Sequence, residues 1–142
     1  MNRGQRPLGS WATLVVIGGL VILMGVTFVF FRPLVALLPE DQRFISLTPE
    51  QLNAFNPKLF VWIGLVFRSW GAFAIGLGIM LCTVAGTAYR AGERWAWWTL
   101  AVVGVLTFGI FLAVNVFLGS DFEFLLALLC GAYVWALWRG RS

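Results

Sequence analysis

The apolar positions of this chain neither alternate nor recur at fixed intervals. They run on in four continuous blocks, at about residues 11–31, 59–89, 95–118 and 122–138, with polar residues confined almost entirely to the breaks. A backbone immersed in hydrocarbon must satisfy its own hydrogen bonds, which leaves helices or closed barrels of alternating strands. Continuous blocks select helices. At about 1.5 Å per residue, some twenty residues cross a core of roughly 30 Å. The first and third blocks fit, and the fourth, about seventeen residues, stands at the lower limit. The second is longer than the core and has to tilt, kink or protrude. The pattern predicts an all-α fold: one membrane domain over 1–142, an integral membrane bundle of four transmembrane helices with a short interfacial helix in an external loop at 32–58.

Helix boundaries are legible in the breaks. The loop carries Pro33, Pro39, Pro49 and Pro57 with Glu40, Asp41, Arg43 and Glu50. In Thr48-Pro49-Glu50-Gln51 a threonine cap, a proline at the first helical position and a glutamine two residues further on make a capping box. This predicts a short helix over 49–55, with Leu52 and Phe55 turned to lipid or to the bundle. Asn56-Pro57 repeats the signal and opens the second span. Gly119 ends the third, and Ser120-Asp121-Phe122-Glu123 reads as another capping box opening the fourth. The first block follows Arg3 and Arg6, as a secretory signal would. It exceeds the usual apolar core of roughly 7–15 residues and lacks a small-x-small cleavage site, so it reads as a retained helix.

Composition agrees. With 61% hydrophobic and 11% charged residues and a mean hydropathy of +0.90, the chain lies outside the soluble range. The net charge of +4 does not point to nucleic acid, because Lys and Arg stand singly or in pairs at block ends rather than in a patch. Four crossings put the N-terminus, the turn at Arg90 and the C-terminus on one side, with Arg3, Arg6, Arg90, Arg94, Arg139 and Arg141. The other side holds Arg32, Arg43 and Lys58, offset by Glu40, Asp41 and Glu50. Positive residues favour the inside, so both termini are expected in the cytoplasm. Trp11, Tyr89, Trp95, Trp97, Trp98, Trp135 and Trp138 gather at the same boundary, where amphipathic rings prefer to sit.

Candidate chemistry is sparse. Histidine is absent, which removes the usual haem ligand and the commonest general base; no cofactor or metal site and no enzyme activity are expected. Arg68 falls about 12 Å along the second span if that span begins near Phe60, a depth at which charge is costly and usually functional. If the membrane begins near Ser69 instead, Arg68 only snorkels outward. Asn115, Asp121 and Glu123 lie towards the same end and could join it in an outward-facing polar pocket, although Asp121 and Glu123 also suit a helix N-terminus. Gly71, Gly78, Cys82 and Gly86 form a small-residue stripe, the kind of surface on which membrane helices pack. Cys82 and Cys130 sit within apolar blocks and are expected to pack as free thiols. Arg90, Arg94, Arg139 and Arg141 are candidates for anionic lipid headgroups.

The run Phe67-Arg68-Ser-Trp-Gly71, then Gly76-x-Gly78, then Ala88-Tyr89-Arg90-x-Gly92-Glu93-Arg94-Trp95-Ala96-Trp97 resembles uncharacterised bacterial four-helix membrane proteins, broadly of the DoxX-like group, over residues 57–120. The resemblance implies a four-helix bundle with a long first external loop in the bacterial inner membrane, and it implies no reaction. The favoured function is a non-catalytic accessory or structural subunit, or a homo-oligomer, joined to partners through the small-residue stripe. The alternative is a lipid or hydrophobic-ligand binding protein or small transporter built on the pocket around Arg68.

Overall fold

The computed structural model describes residues 6–35 and 37–141. Arg3, which enters the orientation count, lies outside them. The described chain is all-α. Helix α1 spans Leu8–Phe30, and a 3-10 turn at Arg32–Leu34 leads to α2, Pro39–Ile45, and α3, Pro49–Phe55. Helix α4 covers Pro57–Val84 and continues through a π-helical turn at Ala85–Tyr89. Helix α5 is one rod in three parts: Arg94–Gly104, a π-helical turn at Val105–Gly109, and Ile110–Leu118. Helix α6 covers Glu123–Arg139. Three stretches, Leu8–Leu34, Pro57–Tyr89 and Arg94–Leu118, are long and apolar enough to cross a membrane. The 17 residues of α6 pack antiparallel to α1 and α5.

Local chemistry explains the ends. The Thr48 hydroxyl accepts from the Gln51 amide at 3.3 Å, and the Gln51 side chain accepts from the Thr48 amide at 2.9 Å, so the predicted box forms and α3 occupies the predicted residues. Thr48 also holds the Glu50 carboxyl below the usual carboxylate range, a contribution present at neutral pH that fades as pH falls through the lowered value. Thr48→Ala should cost about 1 kcal/mol, seen as faster amide exchange across α3. Asn56 accepts from the Lys58 and Leu59 amides at 3.0 and 3.3 Å, as its cap signal requires.

Two boundaries differ from expectation. Helix α2 lies outside the expected elements: its cap is Leu38, whose amide donates to Asp41 at 2.9 Å, so the acid three residues on supplies one half of a capping box, and Leu38 has no side-chain oxygen for the other. The box at Ser120 does not form. Gly119, at φ +62°, turns the chain back so that the Ser120 amide donates to the Asn115 carbonyl at 3.0 Å, closing α5. With that amide used, the Ser120 hydroxyl instead accepts from Phe122 at 3.2 Å, and α6 begins at Glu123.

The small-residue stripe of α4 packs against α1 of the same chain, not against a partner. Gly18 and Gly25, seven residues apart, meet Gly78 and Gly71, also seven apart. A Cβ on Gly78 would lie 2.6 Å from the Gly18 carbonyl oxygen, and one on Gly71 2.6 Å from that of Gly25. The Cys82 thiol donates to the Val15 carbonyl at 3.4 Å, and Gly86 is the loosest member, its Cβ position 3.8 Å from Val15. Backbones this close gain dispersion contacts along their whole length, which is what joins helices in hydrocarbon.

The first turns of α4 extend beyond the end of α1. Phe67 packs edge-on against Phe28 of the last turns of α1, with ring centroids 5.7 Å apart, and lies under the Arg32 guanidinium. The ten residues before it, about 15 Å of helix, run past the end of α1, where Gly64 meets Pro33 and α3 packs on α4. Burial is uneven. The α1–α4 pair buries residues along its length, from Ser10 to Gly25 and from Gly64 to Leu81. In α5 and α6 the buried helical residues are Ala96, Leu100, Gly104, Tyr133, Ala136 and Leu137, all towards one end.

Candidate functional site

That end gathers five of the nine basic residues among the described residues: Arg6, Arg90, Arg94, Arg139 and Arg141. The Arg6 amide donates to the Arg90 carbonyl at 3.1 Å, tying the start of the described chain to the α4–α5 turn. Beneath it, the Ser10 and Tyr89 hydroxyls lie 2.6 Å apart, and each lies within hydrogen-bond reach of the Ala136 carbonyl, at 2.6 and 3.0 Å. With one proton apiece, one hydroxyl donates to the other and the second donates to the carbonyl, joining α1, α4 and α6. The Arg6 guanidinium stands 4.7 Å from the Tyr89 ring centroid, and Gly140 packs where any side chain would strike both hydroxyls. Tyr89 and Ser10 are 0% exposed, so no substrate reaches this trio. It is a buried polar tie, fully partnered and therefore specifying. A second tie holds α5 to α6: the Trp97 indole donates to the Leu137 carbonyl at 3.0 Å, and the Tyr133 hydroxyl to Leu100 at 2.7 Å.

Around these ties stand the four arginines expected at headgroup level. Arg90 lies over the Trp11 ring at 4.6 Å and Arg139 over Trp135 at 5.1 Å, cation–π contacts that leave guanidinium edges for other partners. Arg94 and Arg141 are exposed. Arg141 also lines a groove of about 370 Å³ between α5 and α6, with Trp97, Val105, Phe108, Tyr133 and Trp138 among its walls.

At the opposite, loop-bearing end the four expected pocket residues go separate ways. Arg68 is exposed, level with the last turn of α1 beside Phe67, and has no hydrogen bond or ion pair among the described residues. Asn115 donates to the Phe111 carbonyl of its own helix at 2.9 Å. Asp121 pairs with Arg43 at 2.7 Å, both more than half exposed, an ion pair worth about 0–1 kcal/mol. Glu123 is exposed at the start of α6.

The organising cation of this end is Arg32, which sequence reasoning placed in the loop without a role. It is 9% exposed, bonds Asp41 and the Val35 carbonyl, and covers the Phe67 ring at 4.2 Å. Its signal was available: an arginine directly ending an apolar block, nine residues before an acid that also caps α2. Ser10, Tyr89 and Ala136 had no comparable signal, because nothing local marks which hydroxyl in an apolar block will be buried.

Both thiols are free: Cys130 donates to the Phe108 carbonyl at 3.7 Å, and Cys82 is held as described. No cluster of metal-ligating side chains occurs among the described residues. Comparison with protein-family models, with curated proteins and with solved structures finds no match to this chain.

Proposed function

We propose that this chain is a non-catalytic four-span protein of the bacterial inner membrane, an accessory subunit or self-associating bundle that completes itself against another chain. In this reading α6 crosses as the fourth span and the basic end faces the cytoplasm, as its excess of arginine favours. Arg68 then sits at the outer boundary and snorkels. The bacterial setting rests on the DoxX-like motifs of residues 57–120.

The observation that carries the proposal is the uneven burial. No helical residue from Val105 to Leu118, nor from Glu123 to Ala132, is buried. In hydrocarbon, apolarity alone does not drive helices together; packing does. A helix pair unpacked over half its length gains from a complementary protein surface. The face of α4 opposite α1 offers another such surface: Ser69, Ala72, Gly76, Thr83 and Thr87 are all exposed. The Ser69, Thr83 and Thr87 hydroxyls are satisfied by their own helix, four residues back.

A photo-activatable residue at Ile110 or Leu128, irradiated in native membranes, should give a discrete product heavier than the 15.8 kDa chain, while one at Leu20 on α1 should not. Labelling of lipid alone at all three positions would overturn the proposal. A second reading, a lipid or hydrophobic-ligand binder, is favoured by the α5–α6 groove; it draws no support from Arg68, since Asn115 and Asp121 bond elsewhere and Glu123 stands exposed.

A further inference from the structure

We infer that the groove between α5 and α6 seats one anionic phospholipid, one of its two acyl chains along the apolar walls and its phosphate at Arg141. The volume, about 370 Å³, falls within the range of small-molecule sites, roughly 300–1,000 Å³. From Trp97 to Leu112 the walls follow α5 for about 22 Å, more than the roughly 15 Å of hydrocarbon in one leaflet. A straight chain entering at the basic end therefore stays in the groove throughout its own leaflet.

The shape of the groove comes from the sequence. The π-helical turn Val105–Gly109 inserts an extra residue into the helical ladder. At Gly109 a Cβ would meet nothing within 4 Å, so this glycine leaves open space on the wall and answers no packing need of the chain itself. A glycine within a helix costs about 1 kcal/mol relative to alanine.

The groove's chemistry is that of a lipid. Its walls are Ala, Val, Leu, Phe and Trp for most of the length, and its charged member, Arg141, stands at the mouth beside Trp138. Arg6, Arg90, Arg94 and Arg139 share that end with Glu93 as the one carboxylate among the described residues there. An anionic headgroup is attracted to such a rim, and the groove fixes which arginine it meets. A neutral ligand would make no use of Arg141. The inference does not depend on the association proposed above.

The test uses the full chain reconstituted in vesicles of equal phosphatidylglycerol and phosphatidylcholine, re-extracted in mild detergent, with retained lipid measured by mass spectrometry. The wild type should retain the anionic lipid in about fivefold excess, the factor expected of one arginine at the surface. Arg141→Gln should bring the ratio near one while leaving the melting temperature unchanged. Gly109→Leu should fill the groove and lower retention of both lipids. Arg94→Gln, on the same rim but off the groove, should change neither. A ratio unmoved by Arg141→Gln, or moved equally by Arg94→Gln, would overturn the inference, since the rim would then act only as diffuse charge. So would a Gly109→Leu protein whose oligomeric mass changes while its lipid does not, because the groove would be a protein seat.

Discussion

Gly78→Leu should yield no folded monomer, whereas Gly76→Leu, two residues away, should fold as well as the wild type. At Gly78 the first added carbon already lies 2.6 Å from the Gly18 carbonyl oxygen and 2.9 Å from the Ile22 amide nitrogen. These are backbone atoms and cannot swing aside. The helices would have to part, and with them would go the contacts at Gly25 and Gly71 and the thiol bond of Cys82. Overpacking typically costs about 1–3 kcal/mol; here the loss should lie at or above the top of that range. At Gly76 the added side chain meets nothing, and exchanging glycine for a better helix former stabilises by up to about 1 kcal/mol. Thermal unfolding in detergent, followed by circular dichroism, separates the two. A Gly76→Leu protein that folds but loses its heavier cross-linked product would also map the association to the outward face of α4.

Arg32→Met should be the second most damaging change. The substitution keeps much of the stem that covers Phe67 but removes the charge that holds Asp41, and Asp41 also caps α2. A hydrogen bond to a charged group contributes about 1.5–3 kcal/mol net, so a loss of about 2 kcal/mol is expected. It should be confined to the loop end: hydrogen exchange and protease cleavage should rise across residues 37–47 while the Ser10–Tyr89 end stays protected. Arg43→Met, which breaks only the exposed pair with Asp121, should move neither measurement by much.

What could be read from the sequence divides by range. The cap at Thr48, the cap at Asn56 and the stop at Gly119 are local chemistry, complete within four or five residues, and each stands where the sequence placed it. The Ser120 box failed because its amide was claimed from five residues upstream by Asn115, a competition that a four-residue motif does not contain. The stripe at Gly71, Gly78, Cys82 and Gly86 marks a packing surface in the sequence, but nothing within α4 says that the partner is α1 and not another chain. The matching Gly18 and Gly25 in α1, at the same spacing of seven, were the missing clue. Of the candidate site, the arginines at the basic end were legible because orientation alone gathers them. The groove was not, since it depends on a π-helical turn and on which faces of α5 and α6 meet.

The cytoplasmic placement of the basic rim and the seat of the lipid groove in the inner leaflet both rest on α6 crossing as the fourth span. In a background with Cys82 and Cys130 replaced by alanine, single substitutions Asn53→Cys, Ala91→Cys and Ser142→Cys can be exposed to a membrane-impermeant maleimide in intact cells. Asn53→Cys should label at once, and Ala91→Cys and Ser142→Cys only after the inner membrane is permeabilised. Labelling of Ser142→Cys together with Asn53→Cys in intact cells would mean that α6 does not cross, and would contradict the account.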